Sequence, residues 1–134
     1  MEENIKITVP FYDVDPMQVV WHGNYVKYFE QARCAFLDRI NLTYNDMEKT
    51  GYLFPIVEMK VKYIRPCVFG QLINVCARLV PCDNFLIFKY EITDDVAKTV
   101  LCKAETRQMA VRKKDKESLF MLPDVLLERL REIK

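Results

Sequence analysis

The sequence changes period partway along, and that change most restricts what it can fold into. From Tyr25 to Ile40 the apolar residues Tyr25, Tyr28, Phe29, Ala32, Phe36 and Ile40 recur every three or four positions. Such spacing places them on one stripe of an α-helix. After Gly51 the period falls to two. Val57, Met59, Val61 and Tyr63 alternate with Glu58, Lys60 and Lys62, the pattern of a half-buried strand. Ile73, Val75, Ala77 and Leu79 alternate next. Leu86, Phe88, Tyr90 and Ile92 follow a turn at Pro81-Cys82-Asp83-Asn84. A long strand is expected from Lys98 to about Arg112. A short strand, Ile5 to Phe11, precedes the helix, with Asn24 expected as its N-cap. Pro123 opens a terminal helix striped by Leu126, Leu130 and Ile133.

The order is strand, long helix, four consecutive strands as a meander, short helix. Strands joined by hairpins are antiparallel. The fold class is therefore α+β: an antiparallel five-stranded sheet around one long central helix. Such a sheet leaves an exposed edge, which pairing with a second copy would cover.

A chain of 134 residues is expected to form one domain, 1–134, and 51% hydrophobic residues suffice for its core. Lys and Arg total 20 against 19 for Asp and Glu, so no strong field draws nucleic acid or an anionic membrane. No apolar run approaches the ~18–20 residues of a membrane span. The start of the chain has no basic segment leading into an apolar one, so no signal peptide is expected. The 5 cysteines are odd in number and widely spaced, which favours reduced thiols in a cytoplasmic setting. There is one histidine, His22, and no cysteine cluster beside it, so no metal is expected.

That histidine lies in the densest stretch of unusual residues, Tyr12 to Tyr25. It holds Asp13, Asp15, the only Trp (Trp21) and His22, just ahead of the helix. A carboxylate near a helix start meets free backbone N–H groups, and such groups also stabilise a developing oxyanion. A carboxylate with an oxyanion donor is a minimal kit for acyl transfer. A helix-capping acidic pair is the plain alternative.

The same residues carry a resemblance. Tyr12, Asp13 and Asp15, then Val20, His22 and Tyr25, then Glu30, Ala32 and Arg33, resemble the signature of the hydroxybenzoyl-CoA thioesterase branch of the hotdog-fold superfamily. Tyr63-x-x-Pro66 resembles that family's next block, and the likeness runs along essentially the whole chain. It implies a sheet wrapped around a central helix, and a dimer or tetramer with sites at the subunit interface. It implies an acyl-CoA or acyl-carrier thioester as substrate, with coenzyme A part of the substrate and no separate cofactor. Asp15 matches the catalytic carboxylate, as nucleophile or general base. His22 matches the residue that helps place the thioester, with backbone N–H groups at His22 and Gly23 polarising its carbonyl. Gln18, Trp21, Gly23 and Tyr25 are the expected substrate contacts. Gln18 stands where close relatives often have Gly, and Gln71 where they often have Asp; both bear on acyl specificity.

Asp13 reads as a loop residue, and Glu30 with Arg33 as an ion pair one helical turn apart. The run Arg112, Lys113, Lys114 reads either as a solvated strand end or as a landing site for coenzyme A phosphates. A non-catalytic acyl-CoA or acyl-carrier binding module of the same fold is the rival function. It would bind the thioester without releasing thiol. Dehydration of a hydroxyacyl thioester is a third reading, disfavoured by the single histidine in a thioesterase-like motif.

Overall fold

The computed structural model describes residues 1–132. Strand β1 (Glu2–Thr8) leads into helix α1 (Tyr25–Arg39). Helix α2 (Tyr44–Lys49) and strand β2 (Tyr52–Leu53) follow. Then come β3 (Ile56–Tyr63), β4 (Leu72–Val80), β5 (Leu86–Asp94), β6 (Val100–Gln108), β7 (Val111–Arg112) and helix α3 (Asp124–Arg131). Five strands form one antiparallel sheet in the order β1-β4-β5-β6-β3, and β2 pairs with β7.

Register turns the alternation into a face. Ile5 opposes Val75, Val75 opposes Ile92, Ile92 opposes Cys102 and Cys102 opposes Tyr63, giving one inward row across all five strands. The next row holds Ala77, Tyr90, Ala104 and Val61. Onto this face α1 lays its stripe, over β1, β4 and β5. Phe36 meets Phe88 edge-on at 5.1 Å, Phe29 meets Tyr90 at 5.0 Å, and Ala32 lets the helix approach closely. Burying each of these aromatics contributes roughly 1.5–3 kcal/mol. This is the expected hotdog arrangement of a sheet around a central helix.

Several expectations need correction. The four later strands are not one meander. Only β4, β5 and β6 are; β3 crosses to the far side of β6. A tight hairpin joins strands over two to five residues, whereas the connection 64–71 is longer and interrupted by Pro66. It runs past two strands rather than turning back beside β3. β1 spans Glu2–Thr8, and Phe11 lies in a single 3-10 turn with Asp13. The long strand ends at Gln108, and β7 resumes beside β2. Asn24 occupies the cap position in a helical conformation, but its side chain caps nothing; a 3-10 turn, His22–Asn24, leads into α1.

Helix α2 was not anticipated, although Thr43 and Asp46 supply a reciprocal cap, Thr43 N–H to Asp46 and Asp46 N–H to Thr43 Oγ1 at 3.0 and 3.2 Å. Before it, α1 stops at Asn41, whose φ of 56° is one that Asn tolerates and most residues avoid. Leu126 and Leu130 of the terminal stripe pack on the core; Ile133 lies outside the described residues.

Candidate active site

The stretch between β1 and α1 folds as a small ribbon. Val14 pairs antiparallel with Val20, Asp15 N–H donates to Val19 O (2.9 Å), and Gln18 N–H donates to Asp15 O (2.8 Å). Pro16 takes the second position of that turn, which its fixed φ suits. The ribbon is tied to the β3–β4 crossover: Val19 pairs with Val68, and Val20 N–H donates to Cys67 O at 2.8 Å. Asp15 is thus carried at a ribbon tip rather than on a regular element.

Its side chain is half-buried. Oδ1 accepts the Met17 N–H at 2.8 Å, and no protein donor to Oδ2 occurs among the described residues. Asp15 shares a cleft of about 280 Å³ with Val19, Val20, His22, Tyr25 and the segment Tyr63, Ile64, Arg65, Pro66. His22 is exposed and leans on the Trp21 ring, centroids 4.9 Å apart. The backbone N–H groups of His22 and Gly23 donate to no protein acceptor among the described residues.

Tyrosines brace the cleft. Tyr63 donates its hydroxyl to His22 O at 2.8 Å, tying the end of β3 to the helix-start turn. The Tyr25 ring packs edge-on against Tyr63 at 5.0 Å, and its hydroxyl accepts the Cys67 N–H at 3.1 Å. Burial raises the Tyr25 phenol, and it also pushes the Cys67 thiol up to about 11. Neither group supplies an anion at neutral pH.

Of the expected site residues, Asp15, His22 and Tyr25 meet in this cleft, whereas Gln18, Trp21 and Gly23 do not line it. Gln18 is exposed with φ 65°, a left-handed conformation open to glycine without steric cost. A Gly at that position would therefore answer a backbone demand. Gly23 has its own steric reason: a Cβ there would come within 2.3 Å of the Trp21 ring. Gln71 holds a turn, accepting the Val68 N–H (3.0 Å) and donating to Asp94 Oδ2 (2.8 Å). An Asp at that position would face Asp94 with no proton to offer.

The basic run sits elsewhere. Arg112 pairs with Asp115 at 3.0 Å and Lys113 with Glu48 at 2.9 Å, beside the start of β3. The cleft is at the other end of that strand, seven residue steps or about 23 Å away. Within one chain, the two do not form a single site.

Residue-by-residue reading overlooked Arg65, which lines the cleft from inside the Tyr63-x-x-Pro66 block. That block was the available signal. Among the described residues there is no cluster of three His, Cys, Asp or Glu side chains able to hold a metal, and no helix long and apolar enough to cross a membrane.

A family model described as the thioesterase-like superfamily matches residues 9–130. YneP of Bacillus subtilis, itself provisionally described as an acyl-CoA thioesterase, is 30% identical over 84% of this chain and 80% of its own. Among solved structures, the hypothetical protein TT1821 from Thermus thermophilus superposes with TM-score 0.84 at 29% identity, covering 100% of this chain and 98% of its own. Slr0204 of Synechocystis, a 1,4-dihydroxy-2-naphthoyl-CoA thioesterase, superposes with TM-score 0.87 over 99% and 98% of the two chains, at 16% identity. That last likeness is one of fold.

Proposed function

The chain belongs to the thioesterase-like superfamily, and from that premise we propose that it hydrolyses an acyl-CoA thioester to a carboxylic acid and free coenzyme A, with Asp15 as the reacting carboxylate. The observation that carries this reading is the half-buried Asp15 sharing one cleft with His22, the first residue of the turn that leads into α1. In it, the thioester carbonyl lies against the free N–H groups of His22 and Gly23, which stabilise the oxyanion as the carbonyl becomes tetrahedral. Asp15 either attacks the carbonyl carbon or takes a proton from an attacking water. The C–S bond then breaks, and the departing thiolate takes up a proton; on the nucleophilic route this leaves an acyl anhydride on Asp15, which a water hydrolyses to the carboxylic acid and the free carboxylate. His22 places the substrate at the mouth, and Tyr25 walls the cleft.

The working unit in this reading is a pair of chains joined along β3. That strand is an edge, and its inward residues Ile56 and Tyr63 are 39% and 49% exposed, whereas the inward Ile5 and Ile7 of the other edge, β1, are partly covered. Two antiparallel β3 strands meeting about a two-fold would bring the start of one β3 beside the end of the other. The partner's basic run would then approach this chain's cleft, where Arg112, Lys113 and Lys114 could receive the phosphates of coenzyme A. Residues 1–134 act as one unit in this scheme. Five free cysteines accord with a reducing, cytoplasmic setting, and no cofactor beyond the substrate is invoked.

The test is thiol release across a panel of short, medium, long and aromatic acyl-CoA thioesters, with wild type and Asp15→Asn side by side. The expected result is turnover by wild type and a loss of about 100-fold or more in the variant, with the melting temperature held, since one essential group is removed and no cavity is made. An Asn variant as fast as wild type would remove Asp15 from the reaction.

A further inference from the structure

Asp13, two residues before Asp15, is one of the few charged side chains buried in this fold, at 3% exposure. A carboxylate that deep persists only when its oxygens are engaged. Here both are: Oδ1 is paired with Lys27 Nζ, and Oδ2 accepts the buried Tyr28 hydroxyl at 2.7 Å. Both partners come from the first turns of α1. The backbone of Asp13 points the other way, into the helix-start turn. Its carbonyl accepts the Trp21 N–H at 3.0 Å and the Asn24 side-chain amide at 2.8 Å. One residue thus joins the ribbon that carries Asp15, the turn that carries His22 and Gly23, and the helix beneath them.

From this junction we infer that Asp13 is a positioning residue for the hydrolysis, setting the Asp15 carboxylate against the N–H groups of the His22–Asn24 turn. The inference rests on the proposed role of Asp15. A plain structural role would predict only lower stability. A positioning role predicts that properly folded molecules react more slowly, because small displacements of reacting groups cost large factors in rate. It also explains why Asn24 is polar without capping its helix: the amide is spent on the Asp13 carbonyl.

The experiment compares Asp13→Asn, Tyr28→Phe and the double variant on the full chain. Tyr28→Phe keeps the ring in the core and removes only the hydroxyl, so it reports even if Asp13→Asn folds poorly. The expected outcome is a kcat lowered by about 10- to 100-fold in Asp13→Asn and less in Tyr28→Phe. KM should stay within about threefold, and the double variant should be no slower than Asp13→Asn alone, as for residues that act together. Two readouts lie beyond a stability effect. One is kcat normalised to the folded fraction, which a stability effect leaves at the wild-type value and a positioning role lowers. Acrylamide quenching of Trp21, the only tryptophan, should change because the Asp13 carbonyl that holds the Trp21 backbone N–H shifts once the side chain no longer anchors Asp13 to Lys27 and Tyr28. Folded variants with wild-type kcat, or a loss of activity that matches the unfolded fraction while Trp21 quenching stays put, would overturn the inference. If wild type releases thiol from none of the panel, the proposed function fails instead, and Trp21 quenching alone decides whether Asp13 sets the geometry of the loop.

Discussion

The two halves of the sheet's inner face are written in the same alternation and meet opposite fates. Over β4 and β5 the inward residues Ile73, Val75, Ala77, Phe88 and Ile92 are sealed beneath α1. Over β3 the equally regular Tyr63 remains about half exposed, with Met59 and Val61 only partly covered, and the alternation breaks at Val57, where the register with β6 shifts. Alternation states which way a side chain faces. It does not state what lies above it, and one helix about 10 Å wide cannot roof five strands spaced ~4.8 Å apart. The cleft with Asp15 opens where the roof ends, between the start of α1 and the end of β3.

The comparison can be broken first at its covered side. Phe88→Ala removes a fully buried ring that contacts Phe36, and should cost about 3–5 kcal/mol in chemical denaturation. A cost near 1 kcal/mol would mean that the roof is loosely packed. On the open side, Val57→Asp should leave the stability of the isolated chain within about 1 kcal/mol, as for a surface change. In the β3-paired scheme it should also shift the molecular mass in light scattering from an oligomer toward a single chain. An unchanged mass would show that β3 is not the joining edge.

The inner thiols sharpen the picture further. Burial lifts Cys67 from 9.0 to about 11 and Cys102 to about 12. The native chain therefore keeps protons that the unfolded chain releases above pH 9, and stability should fall as pH rises from about 9 to 11. Below pH 9 these two groups should contribute no slope. Denaturant midpoints at pH 8, 9.5 and 10.5 check the sign, and a rise would refute it. Last and smallest, Gln18→Gly should change stability by less than about 1 kcal/mol, because relief at φ 65° is offset by a freer unfolded chain. Activity in that variant separates the backbone of the turn from the Gln18 side chain.

Much was legible in advance. The helix stripe Tyr25 to Phe36 and the three meander strands rest on local spacing, which side-chain periodicity reports directly, whereas Asp15 and His22 were singled out by the resemblance of their stretch to a known signature. What escaped was non-local. Asp13 and Asp15 look alike as letters two positions apart; burial separates them, and burial is a property of the finished fold. Gln18 and Gln71 read as specificity changes, yet their geometry concerns a left-handed turn and an amide bridge to Asp94. Arg65 entered the cleft only because β3 crosses to the far edge and ends beside His22.

By itself the sequence determined the long helix, the main strands and most of their facing, because periodicity and turn residues are local facts. Only the tertiary structure decided the strand order, which half of the sheet the helix covers, and which of two neighbouring aspartates meets the solvent. Those depend on how a crossover of eight residues and a single helix are placed in space, and no window of sequence contains that placement.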